Sequence, residues 1–405
     1  MGQEEYEMFR RSLKATMIAT GLLLLCGLQL FDIGKNSAYS AITANESSKP
    51  TAPAIQKKLL NFIPELAVGA KIKHELTHFQ THPTTQEVFE LEKGDSYTTA
   101  FAFDRNRYAY IGANISPARI IKFDMKEMKR VGAIDLPAGE NRDETRVAAL
   151  IAVDSETVIH ASFTNPATFT KINGTTMKIT GTLKGAVEAI NDKHIRSMTY
   201  DGKYVYAANY SVPSKIIKFD PVTMKRVDVV TFHNMEISDV TAITIVGKYI
   251  VGVSGRDEDH HASIFRVSLE NLHEKPDIIT IPGFSRYHSI ATDGKYIYAG
   301  TFTNPISVVK VDVTLPHLKW TASFTGMKDT EKGNFSIVYN GQDIVVGTWN
   351  LDATSDKLIK IDPVTMKRKN TRETPVKFPS DLMYLEPYIY TATDQPTGVV
   401  LRMKF

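Results

Sequence analysis

The chain has 405 residues, which is enough for a large hydrophobic core or for more than one domain. Its 48 lysines and arginines nearly balance its 45 aspartates and glutamates. A net charge this small excludes general electrostatic attraction to nucleic acid or to acidic partners. The only cysteine, Cys26, lies in an N-terminal apolar segment, which excludes disulfides and thiolate chemistry from the rest of the chain.

Residues 15–31 form an uncharged apolar segment, ATMIATGLLLLCGLQLF, that follows a polar and partly basic stretch, residues 1–14. This order is typical of a targeting sequence. Two alternatives stay open: a signal peptide cleaved near the small residues Ala38 and Ser40, or a hydrophobic signal-anchor helix that keeps residues 1–14 in the cytoplasm. Both predict an extracytoplasmic C-terminal part, either secreted or anchored to the membrane by a single span.

Residues 32–85 are predicted to be a spacer before the main domain. Residues 36–54 are rich in Ser, Ala, Thr and Pro and offer little to bury. Residues 55–66, IQKKLLNFIPEL, favour a short amphipathic helix, because their apolar residues recur at helical spacing.

A short motif in this spacer, HELTH, has the spacing of a zinc-protease helix, in which His74 and His78 would bind the metal and Glu75 would activate water. However, apolar and charged residues alternate around the motif, and this alternation favours a strand. A strand would place Glu75 on the face opposite both histidines. A zinc hydrolase with His74 and His78 as metal ligands is therefore only the third functional hypothesis.

From residue 86 onward the sequence repeats seven times. Each copy opens with two β-forming segments around a turn such as DGK, and a third segment follows with a basic residue between apolar neighbours. These basic residues are 42 to 50 residues apart and are Lys122, Lys171, Lys218, Arg266, Lys310, Lys360 and Arg402. A fourth segment, such as RVGAIDL, follows most copies. Four strands per copy and a period in the forties predict an all-β, seven-bladed β-propeller with four-stranded blades over residues 86–405.

The seventh copy has only three such segments. Residues 86–94, QEVFELEKG, resemble the fourth segments of the other copies, and they precede the first copy. We therefore expect this N-terminal strand to complete the last blade and close the ring. Such closure would pair backbone groups that would otherwise stay open at a sheet edge.

The repeats resemble those of the seven-bladed YVTN-type propeller family. The resemblance covers residues 86–405 and rests on motifs such as DGKYVYAANYSVPSKIIKFDPVTMKR and DGKYIYAGTFTNPISVVKVD. It implies a propeller fold and a role in binding, since relatives include uncharacterised secreted or surface proteins. A lactonase-type branch uses a similar ring, but its catalytic signature is not found in this sequence, and neither is the Asp-box pattern of sialidase propellers.

Ligands of propellers usually bind on the face that carries the loops entering the first strand of each blade and the loops joining the second and third strands. The entering loops of this chain carry charged and imidazole side chains expected near one mouth of the central channel: Arg146, His194, Arg196, Asp239, Arg286, His288 and Asp381. Arginine binds carboxylates and phosphates, and histidine exchanges protons near neutral pH. These residues form the candidate binding site.

Two other polar features are weaker sites. One loop, SGRDEDHHAS, is rich in metal-ligand types, but consecutive residues rarely bind one ion, so a solvated loop is favoured. Its ligand-type residues are Asp257, Glu258, Asp259, His260 and His261.

Basic pairs such as Lys225–Arg226 recur near the opposite face, where lysines on edge strands discourage aggregation. No nucleic-acid partner and no cofactor is expected.

The leading hypothesis is a non-enzymatic secreted or membrane-anchored surface protein whose propeller binds a carbohydrate, a small anion or a protein across its loop-rich face. The alternative is a hydrolase or lactonase-like enzyme that uses histidine and aspartate as acid and base at the channel mouth. A third class is a structural envelope protein that uses the propeller as a spacer. Binding without turnover would favour the first hypothesis, and turnover lost on metal removal would favour the second.

Overall fold

The computed structural model describes residues 86–137, 147–184, 193–233, 237–255 and 262–404. These residues belong to one compact unit, Thr84–Phe405, and form 28 strands in seven four-stranded antiparallel sheets. No helix of a length and apolarity that would span a membrane occurs in this described part. The predicted targeting segment, residues 15–31, and the spacer with His74 and His78 lie outside the described residues.

The strands are labelled in chain order. They are β1 (Gln86–Glu90), β2 (Thr98–Phe103), β3 (Tyr108–Ala113), β4 (Arg119–Asp124), β5 (Lys129–Asp135), β6 (Val147–Ala152), β7 (Thr157–Ser162), β8 (Thr168–Asn173), β9 (Lys178–Lys184), β10 (Ile195–Tyr200), β11 (Val205–Asn209), β12 (Ser214–Asp220), β13 (Lys225–Phe232), β14 (Val240–Val246), β15 (Tyr249–Ser254), β16 (Ile264–Ser268), β17 (Asp277–Ile279), β18 (Tyr287–Thr292), β19 (Tyr296–Thr301), β20 (Ser307–Asp312), β21 (Lys319–Thr325), β22 (Ile337–Tyr339), β23 (Ile344–Gly347), β24 (Lys357–Ile361), β25 (Arg368–Glu373), β26 (Pro379–Leu385), β27 (Tyr388–Thr393) and β28 (Val399–Lys404).

The seven sheets are the blades of a propeller. Blades 1 to 6 each take four consecutive strands, from β2–β5 to β22–β25, and blade 7 takes β26, β27 and β28 together with β1. The first strands of the blades contact one another in cyclic order, and the first strand of blade 7 also contacts that of blade 1. The predicted all-β propeller of seven four-stranded blades is therefore confirmed.

The apolar core lies between neighbouring blades. In blades 4 and 5 the third strands, β16 and β20, are buried along their whole length. Val251 of blade 4 and Val309 of blade 5 belong to one apolar cluster that joins the two sheets. Strands covered on both faces can carry nearly continuous apolar sequence, whereas every residue of the outer strand β5 is exposed or half-buried.

In four copies the basic residue of the third strand links one blade to the next. Lys122 Nζ of blade 1 donates a hydrogen bond to Gly174 O of blade 2 at 2.6 Å, and Lys310 Nζ of blade 5 donates to Pro363 O of blade 6 at 2.7 Å. The same kind of contact is made by Lys171 and Arg266. Each acceptor lies in the turn between the third and fourth strands of the following blade. In these four copies the repeated basic residue is therefore a structural link between blades.

The aspartate of the DPVTM turn caps that turn, as the motif predicts. Asp220 Oδ1 accepts a hydrogen bond from Val222 N at 2.7 Å, and Asp362 Oδ1 accepts one from Val364 N at 2.8 Å. The near-identical sequences of blades 3 and 6 thus encode the same turn, and this turn connects the third strand to the outer strand.

Replacing Lys310 with methionine is expected to lower the free energy of unfolding by about 1–2 kcal/mol. Methionine keeps the apolar stem but removes the ammonium that donates to Pro363 O and lies 4.0 Å from the centre of the Tyr296 ring. The control is Lys295→Met in the same blade, because the Lys295 side chain is 58% exposed and should contribute little. Urea unfolding measures both variants. Equal effects would show that this link between blades does not stabilise the fold.

Candidate functional site

Two kinds of loop meet on one face of the ring, which we call the loop face: the loops that enter the first strands and the loops that join the second and third strands. His194 illustrates how they are joined. Its N–H donates to Thr164 O of blade 2 at 2.9 Å, and its carbonyl accepts from Tyr210 N of its own blade at 2.8 Å. The residue at this position has a left-handed φ in each described case, namely Tyr97, His194, Asp239, Arg286, Gly333 and Phe378.

Three predicted site residues occupy this left-handed position. His194, Asp239 and Arg286 have φ values of 53°, 51° and 52°. Non-glycine residues seldom adopt this conformation unless their surroundings hold them in it. For His194 and Asp239, hydrogen bonds to the backbones of two blades do so. The equivalent residue of blade 2 is Arg146, which lies outside the described residues.

Two residues further along, the first strands bulge and place one extra residue at the channel mouth. The extra residues of the six blades with this register shift are Thr99, Ala148, Arg196, Thr241, His288 and Ser380. Only those of blades 3 and 5, Arg196 and His288, have long or ring-bearing polar side chains. Among the bulge residues, Arg196 and His288 therefore make the channel mouth chemically different on the side of blades 3 and 5.

Arg196 and His288 contact each other although their blades are not adjacent. Arg196 Nη2 lies 2.6 Å from His288 Nε2, and the two residues are 92 positions apart in the chain. A guanidinium only donates hydrogen bonds, so His288 Nε2 is the acceptor and the imidazole is neutral in this contact. The structure thus brings two predicted site residues together across blade 4.

Aromatic side chains surround this contact on the side of blades 5, 6 and 7. We call Phe302, Phe335, Trp349 and Phe378 the aromatic band. The Phe335 ring lies 4.2 Å from the His288 ring and 4.2 Å from the Trp349 ring, between centroids. Trp349 in turn stacks on Phe378 at 4.5 Å. Arg196 Cζ lies 6.0 Å from the centre of the Phe335 ring, so the cation and the aromatic band share one part of the loop face.

Two other predicted residues, His194 and Arg286, also lie beside aromatic rings. The His194 ring stacks on Phe163 at 4.6 Å, and Phe163 lies 6.2 Å from the Tyr210 ring. Arg286 Cζ lies 5.3 Å from the centre of the Phe302 ring. Basic and aromatic groups are therefore interleaved over blades 2 to 6 of the loop face.

Of the two predicted aspartates, Asp239 is buried and Asp381 is half-buried. Asp239 is 4% exposed. Asp381 links three blades, because its Oδ2 accepts from Phe101 N of blade 1 at 3.2 Å and its Oδ1 accepts from Ser336 Oγ of blade 6 at 3.3 Å. Burial raises the pKa of Asp381 to about 7, although these hydrogen bonds oppose the shift. Its carboxyl group therefore forms hydrogen bonds that join blade 7 to blades 1 and 6.

Sequence reasoning missed the aromatic residues of the loop face. The signal was present in the repeats, because four copies end their second strand with an aromatic residue in HASF, AANY, GTF and GTW. These residues are Phe163, Tyr210, Phe302 and Trp349. Phe163, Tyr210 and Phe302 directly follow a strand, and Trp349 lies two residues after one. Strand packing explains most aromatic residues of the repeats. Only the folded loops reveal that these four lie on the loop face.

The described residues contain no group of three or more His, Cys, Asp or Glu side chains that would hold a metal ion. The metal-ligand candidates His74 and His78 lie outside this part of the chain, and so does the acidic and histidine-rich segment 257–261. The described part of the loop face carries cations, imidazoles and aromatic rings.

No protein-family model and no curated protein matches the chain. Solved structures do match in shape. The WD40 repeats of RRP9 superpose with a TM-score of 0.60 and 10% identity, covering 78% of this chain and 97% of that chain. The structure of U3-55K gives the same TM-score and identity and covers 78% of this chain and 98% of the other. At this identity the likeness concerns the fold alone, which is a seven-bladed β-propeller with WD40-repeat structures among its neighbours.

Proposed function

We propose that the chain is a secreted or membrane-anchored binding protein whose ligand, a carbohydrate with an acidic group, lies across the loop face. The observation that supports this most is the contact between Arg196 and His288 beside the aromatic band. Aromatic rings give a binding site apolar surface, and a few polar groups fix the orientation of the ligand. An arginine binds a carboxylate through charge-assisted hydrogen bonds. A small inorganic anion would use the cation and leave the aromatic band without a role.

Binding of a disaccharide that contains glucuronic acid, compared with its glucose counterpart, tests the proposal by calorimetry on the full chain. We expect the acidic disaccharide to bind more tightly. Arg196→Met should weaken its binding about tenfold or more, because a charge-assisted hydrogen bond is lost, and should affect the neutral disaccharide less. Phe335→Ala should weaken the binding of both disaccharides, because it removes apolar contact without changing charge.

Matched substitutions on the opposite face serve as controls. Arg105→Met alters an exposed arginine in the turn between the first two strands of blade 1, and it should leave both affinities unchanged. His273→Ala, in a turn of blade 4, is a second control and should also leave both affinities unchanged, since the His273 side chain is 60% exposed. Binding that survives Arg196→Met and Phe335→Ala unchanged would exclude the loop face as the site.

A second candidate function is a hydrolase or lactonase-like activity at the channel mouth. It is favoured by Asp381, whose pKa of about 7 suits a general acid or base at neutral pH. The hydrogen bonds of Asp381 to blades 1 and 6 explain the same residue as a structural link. Hydrolysis of a lactone probe by the full chain, lost in both Asp381→Asn and His288→Gln, would establish the enzyme and displace the binding proposal.

A zinc hydrolase based on His74 and His78 remains the third candidate, and metal analysis of the purified full chain tests it. Stoichiometric zinc that is lost in His74→Ala but retained in His273→Ala would support this candidate. A chain without bound zinc after dialysis against zinc-containing buffer would contradict it.

We further infer that the propeller lies outside the cytoplasm, behind a signal peptide or signal-anchor helix at residues 15–31. The uncharged segment and its basic N-terminal flank support this location. Mass spectrometry of the mature N-terminus separates the two alternatives. Intact residues 1–31 in the membrane fraction would exclude cleavage, and a mature chain that starts near Ala41 would exclude the anchor.

We also infer that strand β1 closes the ring and that the repeats belong to the YVTN type. The first inference is supported by the antiparallel pairing of β1 with β28, in which Val88 lies opposite Leu401. The connection from β1 to β2 is held by Asp95, whose carboxylate binds both Arg119 and Arg130 of blade 1. The second inference is supported only by the repeat motifs, such as DGKYVYAANY.

A further inference from the structure

A buried hydrogen-bond donor lies inside the aromatic band. Trp349 is 7% exposed and sits between Phe335 and Phe378, with ring centroids 4.2 and 4.5 Å away. Among the described residues, no acceptor lies within hydrogen-bonding distance of its indole nitrogen, Nε1. An indole N–H only donates, and a buried donor without an acceptor costs free energy. Such a group in a native fold calls for an acceptor from another source.

Backbone N–H groups around Trp349, in contrast, have acceptors. Trp349 N donates to Lys332 O at 2.8 Å and to Gly333 O at 2.9 Å. The buried carboxylate of Asp356 accepts from Asn350 N and from Phe378 N, each at 2.7 Å. The loop thus holds the indole in place through bonds that do not involve its ring nitrogen.

The second tryptophan of the chain shows that an acceptor is readily found elsewhere. Trp320 lies on the outer strand of blade 5 and is 43% exposed, yet its Nε1 donates to Ala322 O at 3.0 Å. Water can serve an exposed indole, so Trp320 needs this bond less than Trp349 does. Within the described part of the chain, the buried indole of Trp349 thus lacks an acceptor, whereas the exposed indole of Trp320 has one.

We propose that Trp349 donates its indole hydrogen bond to an oxygen atom of the carbohydrate. This inference rests on the proposed function and specifies which residue recognises the sugar hydroxyls or ring oxygen, while Arg196 binds the acidic group. A purely apolar ring would leave the donor without an acceptor, so Trp349 selects an oxygen-bearing ring over a hydrocarbon of the same size. Because Nε1 is buried, a neighbouring side chain must move for the ligand oxygen to reach it.

The chain has two tryptophans, so Trp320→Phe leaves Trp349 as the sole indole fluorophore. Titrating this variant of the full chain with the glucuronic-acid disaccharide should give a saturable change in its fluorescence. Calorimetry in the natural sequence background should show that Trp349→Phe weakens binding about tenfold, the effect of one lost hydrogen bond, with an unfolding midpoint that is equal or higher. Trp320→Phe is the matched control and should leave the affinity unchanged.

Three results would overturn the inference. If Trp349→Phe raises the unfolding midpoint but leaves the affinity unchanged, the donor does not meet the ligand, and the proposed function stands without it. If both the midpoint and the affinity fall, the indole N–H has a structural role. If the unaltered chain shows no saturable binding of the disaccharide, both the inference and the proposed carbohydrate function fail.

Discussion

Val88→Asp combined with Phe89→Asp is expected to lower the free energy of unfolding by at least about 4 kcal/mol. Both residues lie on β1, and they face different neighbours. Val88 packs against the apolar cluster that joins blades 6 and 7, and Phe89 packs against the cluster that joins blades 7 and 1. The Phe89 ring lies 6.5 Å from the ring of Phe123 in blade 1. Carboxylates at both positions would therefore weaken both junctions of blade 7.

Urea unfolding of the full chain, followed by tryptophan fluorescence, measures this effect. The matched control is Val227→Asp, because Val227 also lies on an outer strand but is 49% exposed, so its replacement should change stability little. We also expect the double variant to aggregate, since the freed edge of β28 would be open to another chain. A double variant with the unfolding midpoint of the natural chain would refute closure of the ring by β1.

Asp381→Asn is expected to reduce the pH dependence of stability between pH 5 and pH 8. The pKa of Asp381 is about 7 in the fold and near 4 in the unfolded chain. Because the folded-state pKa is raised, the natural chain keeps its full stability below about pH 4 and loses it as the pH rises toward 7. The loss from pH 5 to pH 8 should be about 2 kcal/mol relative to Asp381→Asn. Asparagine keeps an acceptor for Phe101 N and has no charge to bury.

Denaturant unfolding at several pH values checks this result. Asp352→Asn is the control, because the neighbouring Lys332 lowers the pKa of the exposed Asp352. Any effect of this substitution on the pH dependence of stability should therefore fall below pH 5. Parallel stability curves for the natural chain and Asp381→Asn between pH 5 and pH 8 would contradict a carboxyl group that titrates near neutrality at the blade junction.

The architecture could be predicted from the sequence because local chemistry encodes each blade. The spacing of residues such as Lys122 and Lys310 reveals the period, and the structure explains it, because each of these lysines binds a carbonyl of the following blade. Buried strands leave an apolar pattern that is readable without the fold. Turns such as that of Asp220 are specified by residues only two or three positions apart.

The site was predictable only in part. Arg196 and His288 were identified from their place in the entering loops, but their contact joins blades 3 and 5 over 92 residues, and no local pattern encodes it. The bulges that bring them to the mouth depend on left-handed residues such as His194, whose conformation is imposed by hydrogen bonds from two blades. Phe335 and Trp349 read as strand residues in the sequence, and only the assembled loops group them with His288.

The pairing of β1 with β28 has a consequence for the order of folding. Contacts between successive blades join residues about one repeat apart, such as Lys122 and Gly174, which are 52 positions apart. Each blade can therefore dock on its predecessor soon after synthesis. Arg402 and Glu87, which join β28 and β1, are 315 positions apart. The strand made before all the blades is thus the last to gain its partner, so formation of this most distant contact should limit the folding rate.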